Sequence, residues 1–311
     1  MEQDVTPEAS YISEILYHFL PDNFGIFTSI VKNGLLCSVG NKGKLDRFAV
    51  ILQGEGVKQF DIWQHPRVCF TDIPREHLAS HVKKYGKFGL GFSRETILRW
   101  GGSPVWYLNN HASPDGTSDG GNAILYQLLR FSNIVDHMMT LVKKQNQKLF
   151  VAGKLIDGQD AERYIYGAIT SLFQMLSFVK EMSPHDRDNQ EYLFEREWRI
   201  VAGVGAAFRD PTAEEKEQLV RQNPGWGLPP NTDDADILGR FGSRPMVEQF
   251  AFFQGSPPRQ TVSQAIEVIL VPDAEMKPRV VEFIAQHAGA FRAAGPDVCI
   301  FPNEKTGATS R

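Results

Sequence analysis

Glu195-Arg196-Glu197-Trp198-Arg199-Ile200-Val201 is the stretch that decides how the chain is read. It reads as an extended segment that runs into apolar residues, and along a strand side chains point to opposite faces in turn. Glu195 and Glu197 then share one face, while Trp198, Ile200 and the aliphatic part of Arg196 pack on the other. Tyr192-Leu193-Phe194 leads into the strand and Ala202-Gly203 ends it. Two carboxylates on one face allow one to stabilise developing positive charge while the other activates an acceptor. A plainer use is also open: Glu197 pairs with Arg199, its same-face neighbour, or with Arg196 at a solvated edge.

Working outward from this strand, the residues predict a mixed α/β chain. Downstream, 206–258 is rich in Gly, Pro and charge and reads as irregular; 266–272 is a strand, 278–287 a helix and 298–301 a last strand. Upstream, 15–19 is a strand, and Pro21-Asp22 opens a helix with Phe24, Phe27, Ile30 and Val31 apolar, which Asn33-Gly34 stops. Residues 38–56 carry Gly, Lys and Asp and read as a loop. A strand over 67–70 runs into Pro74, placed for a helix over 76–85. The strand 88–92 has glycines that permit close backbone approach, Ser93 caps a helix that runs to Trp100, and 104–108 is another strand. Helical periodicity then dominates about 123–145 and 161–182. The strands before and after this block need each other for a sheet. The expected organisation is therefore one domain over 1–311 with a helical insertion at 120–185.

Composition narrows the function classes. The 311 residues carry a net charge of −4, with 42% hydrophobic and 23% charged residues, as in ordinary globular proteins. No global basic field advertises nucleic acid, and nothing resembles a recognition helix flanked by base readers. The acidic start Met1-Glu2-Gln3-Asp4 is unlike a signal peptide, and no apolar run reaches the length of a membrane span. A cytoplasmic location is expected. The three cysteines, Cys37, Cys69 and Cys299, form no C-x-x-C pair and read as reduced. Phosphate-binding, dinucleotide-binding, zinc-protease and serine-elbow signatures are absent. His77 and His81 have helical i, i+4 spacing but lack a further ligand in standard spacing, so no metal is assigned.

The motifs Cys69-Phe70-Thr71-Asp72-Ile73-Pro74, Tyr85-Gly86-Lys87-Phe88-Gly89-Leu90-Gly91-Phe92-Ser93, Pro104-Val105-Trp106-Tyr107 and Glu195-Arg196-Glu197-Trp198-Arg199-Ile200 resemble the AbiGi-type abortive-infection family of bacterial phage-defence proteins. The resemblance spans about 17–201. It implies a phage-resistance role and an antitoxin-like partnership with a nucleotidyltransferase-type toxin. A looser resemblance is to the DarT-type DNA ADP-ribosyltransferases. It rests on Ile30-Val31-Lys32-Asn33-Gly34-Leu35, on Glu197 at the start of a late apolar strand, and on 266–271 with its following helix. An equivalent of that family's catalytic Arg is not placed, and the long helical insertion departs from its pattern.

This second resemblance implies an α+β fold with an ADP-ribosyltransferase-like split, mixed or antiparallel sheet. NAD would be the substrate, and ADP-ribose would pass to a macromolecular acceptor, nucleic acid or protein. Glu197 would stabilise the ribosyl cation, Glu195 would activate the acceptor, and His18, Phe70, Thr71 and Phe88 would bind NAD. In that scheme Glu195, Glu197 and His18 face one cleft. The alternative expectation is a non-catalytic, antitoxin-like protein that binds a cognate toxin.

Overall fold

Why the middle of this chain forms a sheet is clearest at Phe88–Ser93, a six-residue strand in which only the last residue is not buried. A strand buried on both faces needs small or apolar residues throughout. Gly89 and Gly91 meet that need where neighbouring side chains close in: a Cβ on Gly91 would stand 2.7 Å from Ile15 Cγ2. The computed structural model describes residues 13–37, 46–52, 56–62, 66–80, 86–109, parts of 127–142, 148–151, 154–182, 196–202, 208–222, 251–256 and 259–301. The chain divides into two compact units, one of residues 1–42, 66–104 and 192–311, the other of 43–65 and 105–191.

The first unit contains β1 (Ile15–Leu20), β2 (Leu35–Cys37), β5 (Arg67–Thr71), β6 (Phe88–Ser93), β7 (Ser103–Pro104), β12 (Glu197–Val201), β13 (Phe208–Arg209), β14 (Ala251–Phe253), β15 (Gly255–Ser256), β16 (Gln260–Thr261), β17 (Ile266–Val271) and β18 (Asp297–Ile300). Seven of these form one mixed sheet in the order β18-β17-β6-β1-β5-β12-β7. Its pairs are antiparallel apart from β17 with β18, which run parallel. The expected α+β class with a mixed sheet is what forms.

One face of the sheet carries Leu16, Leu20, Val68, Phe70, Phe88, Leu90, Phe92, Trp198 and Ile200 into the main core. The helices Phe24–Asn33 and Met276–Gln286 contribute Phe27, Ile30, Val280 and Phe283 to that core. Aromatic pairs such as Phe27 stacked on Phe88 at 5.5 Å and Phe70 edge-on to Phe92 at 5.7 Å add directional packing to the burial. A smaller cluster of Tyr17, Ile73, Leu78, Leu270 and Phe301 occupies the other face.

The helix Phe24–Asn33 begins where Asn23 accepts a hydrogen bond from Gly25 N, and it ends at Gly34 with φ 86°. A Cβ at Gly34 would lie 2.2 Å from the carbonyl oxygen of Phe253, so only glycine fits. Ser93 caps the helix Arg94–Arg99 as its sequence predicts.

The second unit contains β3 (Asp46–Leu52) and β4 (Gly56–Ile62), an antiparallel pair. It also holds β8 (Trp106–Asn109), β9 (Leu149–Val151), β10 (Lys154–Ile156), β11 (Val179–Met182) and the nineteen-residue helix Gly158–Leu176. Ala161 and Ile165 of that helix pack with Val135 and Val142.

Five expectations change. Residues 46–52, expected as loop, are strand, because the run Phe48-Ala49-Val50-Ile51-Leu52 outweighs the Gly and Lys around it. The helix expected to reach residue 182 stops at Leu176, and Val179–Met182 pairs with β8 as a parallel strand. The strand expected over 104–108 divides into β7 and β8, on either side of the boundary between the units. The helix expected from residue 76 is a 3-10 helix over Arg75–Ser80. Within the stretch expected to be irregular, Ala213–Gln222 is helical, with Glu214 and Glu215 in its first turn.

Candidate functional site

Antiparallel strands place directly opposed residues on the same face of a sheet, so register decides which predicted site residues can meet. Thr71 of β5 opposes Tyr17 of β1 on one side and Glu197 of β12 on the other. Tyr17, Thr71 and Glu197 therefore share a face with Cys69 and Arg199, which oppose each other. His18 is one residue on from Tyr17 and belongs to the opposite face. Its ring lies 5.8 Å from that of Phe70, and it opposes Leu90 of β6. The five predicted residues that the structure describes thus do not share one face. His18, Phe70 and Phe88 lie on the core face, Thr71 and Glu197 on the other, and Glu195 falls outside the described residues.

Each described residue also has a structural occupation. Phe70 and Phe88 are fully buried among the core aromatics. His18 Nδ1 lies 2.8 Å from the carbonyl oxygen of Cys69. Burial lowers the His18 pKa, against a smaller upward pull from that hydrogen bond, and so favours the neutral ring. His18 retains some surface because it borders a cavity of about 840 Å³ lined by the helix Phe24–Asn33, Leu36, Glu215 and Phe252.

Glu197 is buried, and Arg199 Nε donates to its Oε1 at 2.8 Å. Their side chains are 10% and 4% exposed, so the carboxylate is held by its strand neighbour and does not line the 840 Å³ cavity. This is the plainer of the uses open to it from sequence.

Beside this pair, the Cys69 thiol is pushed up to about 12, first by the density of chain around it and then by the charge of Glu197. Cys69 keeps solvent-accessible surface. Crowding and the neighbouring carboxylate still both disfavour a thiolate, so it has the character of a resting thiol and not of a nucleophile.

A constellation that the sequence did not single out lies at one end of the sheet. β5 ends, β12 begins, β6 ends and β1 begins there, which brings Asp72, Arg196, Arg94 and Ser13 together. Asp72 is 2% exposed. It accepts from Arg94 at 2.8 Å, from Arg196 at 3.0 Å and from the Ser13 amide at 3.2 Å. Arg94 also donates to the Ser13 carbonyl through Nε at 3.0 Å and through Nη2 at 2.5 Å. Its guanidinium sits 5.0 Å from the centre of the Trp198 ring. Arg196 holds φ at 44°, in the left-handed region that costs a non-glycine residue free energy.

In the sequence Asp72 stood within a family motif. The better signal was Arg94, immediately after a strand. With both Asp72 oxygens and two guanidinia engaged, this cluster ties four strand ends together and leaves no carboxylate oxygen turned toward a substrate.

What fold and site define together is an α+β protein whose conspicuous acids are used within the fold. Residues 58–220, just over half of the chain, match the family described as "Putative abortive phage resistance protein AbiGi, antitoxin". The chain belongs to that family. No curated protein and no solved structure matches it. No helix among the described residues is long and apolar enough to cross a membrane.

Proposed function

We propose that this protein is a non-catalytic antitoxin in phage defence, which binds a cognate toxin protein and holds it inactive. Family membership carries the reading. The geometry supports it over NAD-dependent transfer, because the sheet stands between His18 and Glu197, which a ribose would have to touch at once.

The second unit carries exposed aromatic and apolar side chains of the kind a protein partner would cover. Trp106 and Tyr164 are each 52% exposed, and Met175, Tyr166, Phe131 and Ile134 are exposed as well. Trp, Tyr and Met are the residues that interfaces favour. Tyr164 and Met175 are eleven positions apart on one helix, close to three full turns, and so share a face.

Expression of the chain alone should leave bacterial growth unaffected. Co-expression with its toxin should restore growth and yield a complex that co-purifies. Replacing Trp106, Tyr164 and Met175 together by Ala should weaken the complex at least tenfold and abolish rescue, with the melting temperature unchanged, since these side chains are exposed. Growth arrest by the chain alone that depends on Glu197, or release of nicotinamide from NAD by the purified protein, would overturn the reading and restore the transferase.

A further inference from the structure

A hollow of about 610 Å³ in the first unit is lined by Arg99, Arg259, Arg292, Gln260, Gln264 and Phe291, with Trp100 and Ala293 completing its wall. Among the described residues no carboxylate lines it. Its three arginines come from the end of the helix Arg94–Arg99, the position just before β16 and the segment before β18. Trp100 and Phe291 are buried. Trp100 is braced by Phe253 at 5.0 Å and Phe92 at 5.8 Å, so the floor is part of the core and rigid.

How these guanidinia are held separates them from others in the molecule. Arg94, Arg196, Arg199, Arg209 and Arg221 each meet a carboxylate within 3.0 Å. Arg292 is oriented by neutral acceptors, the carbonyl oxygens of Gly295 at 3.0 Å and Glu267 at 3.5 Å. Arg99 donates to the Thr96 hydroxyl at 3.1 Å. Its one acidic contact, with Glu95, is 3.9 Å long between side chains 60% and 81% exposed, which neutralises little. Among the described residues no hydrogen bond or ion pair engages Arg259. Three like charges held around one hollow repel one another, and a polyanion relieves that repulsion.

We propose that this hollow binds a nucleoside phosphate. Arg99, Arg259 and Arg292 would clamp the phosphates, because the planar guanidinium fork matches phosphate oxygens. Gln260 and Gln264 would offer amide groups to the base or sugar, with Phe291 and Trp100 as the apolar wall. Gln264 Oε1 already accepts from the Thr261 amide at 3.0 Å, which fixes its side chain and leaves its NH₂ group to donate. The volume lies within the range of small-ligand pockets. The same chemistry is presented by a free nucleotide and by the phosphorylated end of a nucleic acid.

The test is calorimetric titration of the full-length protein with ATP, adenosine, inorganic pyrophosphate and a short 5′-phosphorylated oligonucleotide. ATP should bind, adenosine should not, and pyrophosphate should bind more weakly than ATP. Arg259→Gln and Arg292→Gln should each weaken ATP about tenfold or more, as expected for loss of a charged hydrogen bond, and should stay folded because both side chains are exposed. Arg163→Gln, in the other unit, should change nothing. A free nucleotide is the source if ATP binds at least as tightly as the oligonucleotide. A nucleic-acid end is the source if only the oligonucleotide binds and its affinity depends on Arg259. The proposal is overturned if neither binds the folded protein at millimolar concentration, if the arginine variants bind like the native chain, or if polyglutamate competes as well as ATP.

Discussion

Two sets of arginines in the first unit are built from the same residue and put to opposite uses. Arg94, Arg196 and Arg199 lie at one end of the sheet or within it, each against a carboxylate that is itself almost wholly buried. Arg99, Arg259 and Arg292 ring a hollow that has no carboxylate among its described lining residues. The difference teaches how to read charge in a fold of this kind. A guanidinium closed by an acid fixes strand ends and has little left to offer a ligand. One that no acid closes at hydrogen-bond distance keeps its charge for something that arrives.

The sharpest way to break this comparison is to open the paired set. Asp72→Ala removes the common acceptor of Arg94 and Arg196. Breaking a buried ion pair from one side costs about 3–5 kcal/mol, and Asp72 closes two pairs, so a loss of about 4 kcal/mol in urea unfolding is expected. Arg196 is 36% exposed and should matter less. Its φ of 44° adds a second signature: Arg196→Gly should cost less than Arg196→Ala, because glycine relieves the backbone while both lose the ion pair. If Asp72→Ala unfolds like the native chain but abolishes a biological activity, Asp72 belongs to a working site and the comparison fails.

Next in size is the pair within β12. Glu197→Gln keeps the volume and leaves Arg199 buried without its counter-charge, an expected loss of about 3 kcal/mol. The double variant Glu197→Met with Arg199→Leu removes both charges together and should recover most of that loss. Rescue of growth by the double variant, equal to the native chain's, would place Glu197 in structure alone. The same substitution reaches Cys69, whose thiol Glu197 helps to raise. Iodoacetamide should react slowly with exposed Cys69 in the native protein at pH 8 and faster in Glu197→Gln, because the negative charge beside it is gone.

How much of this was legible in the sequence follows from where each signal resides. The helix Phe24–Asn33, the strands β1, β5, β6 and β17 and the Ser93 cap depend on residues within a few positions of one another, and they form where periodicity and capping place them. So does the pairing of Glu197 with Arg199, two positions apart on a strand. The face of His18 was not legible. Parity along β1 separates His18 from Tyr17, but which parity matches Glu197 depends on the registers of β1 with β5 and of β5 with β12, set by packing between segments far apart in the chain. The arginine hollow was hidden for the same reason, since Arg99, Arg259 and Arg292 share no spacing that a motif could express. The stretch 46–52 was missed because Gly and Lys near it were weighed above its apolar run.

His18 adds a third kind of ionisable group to the comparison, one held neutral by its surroundings and not by a partner charge, and its expected effect is the smallest. Burial lowers its pKa in the folded protein from 6.5. Above pH 6.5 the ring is neutral in both folded and unfolded chains, and the stability it contributes is fully present. As pH falls below that value the unfolded chain takes up the proton first, so stability drains away until the folded ring is protonated too. The slope cannot exceed about 1.4 kcal/mol per pH unit for one group. His18→Gln keeps an amide able to donate to the Cys69 carbonyl and cannot titrate. The stability difference between native and variant, followed by urea unfolding, should therefore be constant from pH 8 to 7 and shrink in the native chain's disfavour from pH 6.5 to 5. A difference flat to pH 5 would mean that His18 titrates like a histidine in water. A native chain gaining on the variant as pH falls would mean that it takes up a proton beside an acid, and would move His18 into the paired set.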